Sequence, residues 1–104
     1  MKLKNKKIIL TGACGGIGSE VARLLLNEEA QIVLVERDAK KLDDLTNELL
    51  LNNKAENRIV AVVADVSLES DRQVIIDKAL STFGSVDVLI NLAGVMSFNQ
   101  FSQE

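Results

Sequence analysis

The chain reads as an α/β protein with a parallel sheet of about four strands and helices on both faces. Two observations predict this. Short apolar, β-branched runs alternate with longer segments of helical periodicity through all 104 residues. The first run, Ile8-Ile9-Leu10, passes at once into a turn punctuated by Gly12, Gly16 and Gly18, and a helical pattern opens there. A strand, glycine turn and helix in that order set backbone N–H groups at a helix N-terminus, where the aligned peptide dipoles favour an anion. Glycine suits the turn because a Cβ would keep the backbone from approaching a pyrophosphate.

Each element has its own signal. Ile17, Val21, Leu24 and Leu25 recur at helical spacing, predicting a first helix through about Glu29. Gln31 to Val35 is a β-branched second strand. Lys40 to Asn53 is a second helix, with Leu42, Leu45, Leu49 and Leu50 on one apolar stripe and Lys41, Asp44 and Glu48 on the wet side. Asn52 to Asn57 is polar and reads as loop. Arg58 to Ala64 is apolar on both faces, as expected of a strand covered from each side. Ser67 is placed to N-cap a third helix, with Glu69 and Asp71 near its positive end. Val74, Ile75, Leu80 and Phe83 should face the sheet, and Gly84 should end the helix. Val86 to Leu92 is the fourth strand.

Composition narrows the function. At 104 residues there is room for a single domain with one modest core. A net charge of −3 argues against broad nucleic-acid binding, which needs a basic surface. Lys2, Lys4, Lys6 and Lys7 form a small basic leader that reads as a solvated end before the first strand. No apolar stretch approaches the ~20 residues of a membrane span, and the apolar run after the leader is too short for a signal peptide. The single Cys14 excludes an internal disulfide and supports a reducing, cytoplasmic compartment. No Lys-Ser/Thr pair follows the glycine turn, which disfavours a phosphate-loop kinase.

The spacing T-G-x-x-x-G-I-G, from Thr11 to Gly18, differs from the G-x-G-x-x-G of ordinary dinucleotide folds. It resembles the short-chain dehydrogenase/reductase family. Three further stretches add to the resemblance in the family's order: Glu36 ending the second strand, Asp65-Val66 ending the third, and Asn91-Leu92-Ala93-Gly94 ending the fourth. The likeness covers nearly the whole chain but only the N-terminal part of a family member, so the chain reads as truncated. It implies a partial Rossmann fold with strand order 3-2-1-4, the first two helices on one face and the third on the other. Gly12, Asp65 and Asn91 then converge at carboxyl ends of strands, by the crevice where open α/β sheets bind ligands.

The resemblance also implies a cofactor site. Gly12, Gly16 and Gly18 would shape the turn, admit the pyrophosphate and let the first helix pack closely, with Ile17 adding an N–H and an apolar contact. Cys14 stands where the family often has serine. Either the helix N-terminus lowers its thiol pKa, or it is a small inert filler. Glu36 matches an acidic residue that accepts the adenosine ribose hydroxyls and repels a 2′-phosphate. Arg37 blurs this, because a guanidinium pairs with such a phosphate. The carboxylate, and Gly15 in place of a basic residue, tip the expectation to NAD over NADP. Glu36-Arg37-Asp38 also has a blander reading as a solvated charge cluster. Asp65 and Val66 would border the adenine; the blander reading of Asp65 is a residue that ends a strand before a helix. Asn91 would knit neighbouring strands, and Ala93-Gly94 would leave space for the nicotinamide-side ribose. Leu92 departs from the family's second asparagine and would face the core.

The family's chemistry is a hydride transfer between nicotinamide and a carbonyl or alcohol, using a tyrosine acid/base, a lysine in a Tyr-x-x-x-Lys element and a serine. These lie beyond residue 104 in the family layout, and the chain contains no tyrosine. Ser97 and Ser102 have no lysine after them. The expectation is the N-terminal NAD-binding portion of an NAD(P)-dependent oxidoreductase, inactive by itself. The alternative is a stand-alone, non-catalytic nucleotide-binding or oligomerising module. Without a fifth strand, Val86 to Leu92 would offer an unpaired apolar edge, so a homo-oligomer through that strand is expected.

Overall fold

The computed structural model describes residues 2–52 and 57–93. Seven elements alternate: β1 (Lys7–Thr11), α1 (Gly16–Asn27), β2 (Gln31–Glu36), α2 (Ala39–Asn52), β3 (Ile59–Val63), α3 (Glu69–Phe83) and β4 (Val88–Asn91). All strand pairings are parallel and the sheet order is β3-β2-β1-β4. Ile9 lies in register with Val33 on one side and Leu89 on the other. The order reverses between β1 and β4, which places the switch point at the end of β1.

The two inner strands are buried on both faces, so both alternating sets of side chains are apolar. On one face Ile8, Leu10, Ile32 and Leu34 pack against Leu25 and Leu26 of α1 and Leu42, Leu45 and Leu49 of α2. On the other, Ile9, Val33, Val35 and Val62 meet Ile75 and Ala79 of α3. Helices therefore cover both faces, two on one side and one on the other. Gly84 ends α3 in the left-handed region (φ 84°), donating its N–H to the Leu80 carbonyl as a C-terminal glycine should.

Several boundaries and facings differ from the sequence reading. Helix α1 stops at Asn27, because Glu28 turns its N–H onto the Leu24 and Leu25 carbonyls and Glu29 takes a positive φ. Leu24 is exposed, and Ala22, Leu25 and Leu26 carry the packing instead. The predicted end of α2 at Asn53 lies outside the described residues. Leu50 is only half-buried, at the margin of the Leu42-Leu45-Leu49 stripe.

On α3 the stripe that meets the sheet is Ile75, Ala79 and, in part, Phe83, at strict i, i+4 spacing. Val74 and Leu80 flank it and are 52% and 47% exposed. Helix α3 stands alone on its face among the described residues, so nothing packs against those flanks.

Strand β3 is not covered on both sides. It is the outermost strand, and the α1/α2 cluster takes in Ile59 but leaves Ala61 and Val63 exposed. Strand β4 is shorter than Val86 to Leu92. Asp87 instead clamps the start of the pairing, its N–H donating to the Lys7 carbonyl (2.7 Å) while its carboxylate accepts the Lys7 N–H (2.8 Å).

Ser67 does not cap α3. The helix follows Leu68 without a side-chain cap bond, and the Ser67 hydroxyl turns back to Asp65. Glu69 and Asp71 do occupy the first turn.

Candidate functional site

Strand β1 ends in Gly12, whose φ of 69° is a left-handed conformation that a side chain resists. A Cβ there would also come within 2.8 Å of the Leu92 carbonyl carbon and 2.9 Å of the Ala93 nitrogen, so the turn passes backbone against backbone. Gly18, in the first turn of α1, is buried so closely on the Gly12 carbonyl oxygen that any Cβ would overlap it. Gly16 is open, with nothing near the place of a Cβ. Its openness marks the side of the turn that faces away from the protein. The Ser19 N–H makes the first helical bond, to the Gly15 carbonyl (2.9 Å). The N–H groups of Gly16, Ile17 and Gly18 thus precede the helical ladder and carry its positive end. Ile17 is 72% exposed, so it lies over the outside of this turn.

Beside the turn lies a cleft of about 240 Å3 at the carboxyl ends of the strands. Gly12, Glu36, Arg37, Asp65, Val66 and Ala93 line it, together with Val35, Ala64 and Ser67. Six of the predicted positions therefore meet in one place, although they are scattered along the sequence. Gly94 lies outside the described residues. Gly16, Ile17 and Gly18 stand at the helix start and form no part of the cleft wall.

Glu36 closes the end of β2 next to the glycine turn. Its Oε1 accepts the Cys14 N–H (3.1 Å) and its Oε2 accepts the Arg37 N–H (3.1 Å). A carboxylate offers about four lone-pair sites, so each oxygen retains capacity for another donor. Asp65 is held by Ser67, whose N–H (2.9 Å) and Oγ–H (2.6 Å) both donate to Oδ1. These bonds, with the Arg37 charge nearby, hold the Asp65 carboxyl below the usual carboxylate range. Asp65 is thus an anion at neutral pH, and among the described residues no hydrogen bond engages its second oxygen.

Asn91 does not line the cleft. Its Oδ1 accepts the Thr11 hydroxyl (2.7 Å) and the Ala93 N–H (3.3 Å), tying β1 to the segment after β4. Leu92 is 39% exposed and does not face the core. Its N–H pairs with the Thr11 carbonyl, which turns the side chain outward.

At Cys14 the sequence leaves two readings, an activated thiol or a small inert filler. The Cys14 thiol is pushed up to about 11, chiefly by burial and then by the Glu36 and Asp38 carboxylates, against a smaller opposing effect of Lys41. The helix N-terminus does not activate it. Cys14 packs at the margin of the α1/α2 core and borders a separate shallow groove with Ser19, Arg23 and Lys41. The inert-filler reading is the one that fits.

Sequence reasoning missed Thr11, Ser67 as a partner of Asp65, and Asp71 and Arg72 on α3. The Asp-x-Ser pattern at Asp65 to Ser67 is a recognisable Asx-type turn and could have found the second. No helix among the described residues is long and apolar enough to cross a membrane.

A family model described as short chain dehydrogenase matches residues 6–104. The uncharacterized oxidoreductase YxnA of Bacillus subtilis is 38% identical over 97 residues, covering 93% of this chain and 26% of that protein. The chain thus spans well under half the length of the curated relatives it matches. Among solved structures, the apo glucose dehydrogenase of Caenorhabditis elegans superposes with a TM-score of 0.85 at 30% identity, covering 98% of this chain and 43% of that one. The L-sorbose reductase of Gluconobacter frateurii, complexed with NADPH and L-sorbose, gives a TM-score of 0.82 at 30% identity, covering 93% and 37%.

Cys14 sets a pH-dependent outcome. A thiol at about 11 instead of its ordinary 9.0 holds about a hundredfold less thiolate at neutral pH. Alkylation of the folded chain by iodoacetamide at pH 8 should be slower than that of a free thiol by about that factor. The rate should climb as pH rises toward 11. Glu36→Gln should speed it by removing a negative neighbour. Labelling at the free-thiol rate at pH 8, followed by mass spectrometry, would contradict this environment.

Proposed function

The chain belongs to the short-chain dehydrogenase family, and from that premise we propose that residues 1–104 are the dinucleotide-binding portion of an oxidoreductase that acts on an alcohol or carbonyl. One observation carries this reading: Gly12, Glu36 and Asp65 converge on one cleft beside a helix start whose first N–H groups have no helical acceptor. The residues fit a dinucleotide. The Gly12 and Gly18 positions leave no room for a Cβ, so the turn stays low enough for a diphosphate to reach the N–H groups of Gly16, Ile17 and Gly18.

Glu36 would take the adenosine ribose hydroxyls on its remaining lone pairs. Asp65 and Val66 would border the adenine, Cys14 the turn, and Asn91 with Ala93 and Gly94 the nicotinamide-side ribose. The nicotinamide, when bound, supplies or accepts the hydride. The chain's own residues bind and orient. A proton donor on the tyrosine pattern of the family is not among these 104 residues, which contain no tyrosine. That removes roughly 10²–10⁴-fold of acid–base assistance, so residues 1–104 alone should lack turnover. The single cysteine supports a reducing, cytoplasmic setting.

The cofactor is NAD in preference to NADP. Glu36 places a negative charge where a 2′-phosphate would sit, and Gly15 contributes no cation. Arg37 also lines the cleft and pulls the other way. The L-sorbose reductase is complexed with NADPH, so the preference in this chain rests on Glu36.

The edge of β4 favours one addition. Among the described residues β4 pairs only with β1, and Val88 and Leu92 are 37% and 39% exposed. We propose that this edge joins two copies of the chain. Leu89 and Ile90 pack on the core, so the edge is better probed at Val88.

Calorimetric titration should give tighter binding of NAD than of NADP, with modest affinity for both. Equal or tighter NADP binding would make Arg37 the dominant contact. An absorbance assay for reduced cofactor, run over a panel of alcohols and ketones, should show no turnover by residues 1–104. A rate that survives repurification and vanishes on Gly16→Trp would refute that. Light scattering at micromolar concentration should show a dimer or larger species that Val88→Lys weakens; a stable monomer would count against the edge.

A further inference from the structure

Arg72 lies in the first turns of α3, half-buried, and forms no ion pair among the described residues. Its Nη1 donates to the Val66 carbonyl (2.8 Å), while its Nε is buried without a partner among those residues. A guanidinium kept partly out of water with one N–H unanswered is an unfavourable choice for packing alone, since a buried unpaired donor costs free energy. Something else must favour it. The residue before it, Asp71, accepts the Asp65 N–H on Oδ2 (2.8 Å). Consecutive residues of one helix therefore hold the N–H of Asp65 and the C=O of Val66, the two ends of the dipeptide that borders the cleft. Holding both ends restricts the backbone torsions between them, and with them the directions in which the two Cβ atoms leave the backbone. Neither Asp71 nor Arg72 lines the cleft itself.

We propose that Arg72 is a positioning residue, which orders the Asp65-Val66 loop for the adenine half of the dinucleotide; the ligand named here rests on the function proposed above. Ser67 completes the arrangement by occupying Asp65 Oδ1, so that the other oxygen is the one left to a ligand. Arg72 acts through the loop and from the far side of it. The contribution is to order, made before any ligand arrives, so that less freedom is lost on binding.

Three proteins test this: the full 104-residue chain, R72M and R72K. Methionine keeps the apolar stem and removes the unanswered Nε, so R72M should melt at the wild-type temperature or above it. Amide hydrogen exchange at Asp65 to Ser67 should nevertheless quicken without ligand. Binding of ADP by R72M should fall about tenfold, the loss expected for one hydrogen bond from a charged donor. Binding of inorganic pyrophosphate, which needs only the glycine turn, should stay unchanged. R72K, whose ammonium can still donate to the Val66 carbonyl, should recover most of the ADP affinity and the slow exchange. Unchanged exchange and unchanged ADP binding in R72M would overturn the proposal. So would an equal loss of ADP and pyrophosphate binding together with a lowered melting temperature, which marks a purely structural arginine. Failure of the wild-type chain to bind ADP would instead remove the dinucleotide reading, and the exchange measurement would still decide whether Arg72 orders the loop.

Discussion

Backbone meets backbone at Gly12, and the carboxyl end of the sheet depends on that contact. The residue turns the chain out of β1 with a positive φ, touches the Leu92-Ala93 peptide on one side and receives Gly18 on the other. Three segments distant in sequence are thereby brought within van der Waals reach with no side chain between them. A methyl group at Gly12 or Gly18 would push apart the helix, the turn and the segment after β4. The cleft exists because these three segments cannot separate.

Around that contact the polar groups are arranged to hold negative charge on the cleft wall. Glu36 is anchored by two backbone N–H groups and Asp65 by two donors of Ser67. Hydrogen bonds to the ionised form stabilise it, which is why the Asp65 carboxyl lies low. The same carboxylate of Glu36, set beside a partly buried thiol, has the reverse effect on Cys14 and silences it. Burial and the Glu36 and Asp38 carboxylates act together on that sulfur, against a smaller effect of Lys41. The free N–H groups at the start of α1 are left as the positive feature opposite two fixed anions. This polarity suits a ligand with hydroxyls at one end and a diphosphate in its middle.

The alternation of strands and helices was legible because β1 and β2 are buried on both faces and α2 keeps a single leucine stripe. The cleft residues were legible as a set, since each stands directly after an apolar run and a parallel sheet brings all such ends to one edge. What failed has physical reasons. On α3 the apolar residues Val74, Ile75, Ile76, Ala79, Leu80 and Phe83 spread around the helix, so periodicity could not say which stripe meets the sheet. The stripe is set by how small Ala79 lets the helix approach. Ser67 has the composition of a helix cap and of an Asx-turn donor alike, and only the position of Asp65 decides between them. The Cys14 shift comes first from burial and then from Glu36, twenty-two residues away in sequence, and neither is visible locally. Arg72 carried no signal at all, because its partner is a backbone carbonyl.

The two faces of the sheet also differ in how firmly they hold the cleft. The α1/α2 face buries the larger cluster, with leucines from two helices against Ile8, Leu10, Ile32 and Leu34. Each such side chain contributes roughly 1.5–3 kcal/mol on burial, so the glycine turn and the Glu36 end of β2 rest on a well-packed base. The α3 face offers Ile75, Ala79 and part of Phe83 against valines, and the flanks of its one helix are bare. The short loop from Ala64 to Leu68 meets that cluster only through Ala64 and, in part, Val66. Its order must come from directional bonds. Those are the bonds supplied by Ser67, Asp71 and Arg72. The cleft thus has one wall held by shape and one held by hydrogen bonds, and a ligand that spans both meets a rigid side at the glycine turn and a more adjustable side at Asp65. Local openings follow the least-packed elements, so the Asp65-Val66 wall is where this site can yield, and where small changes outside the cleft can be felt within it.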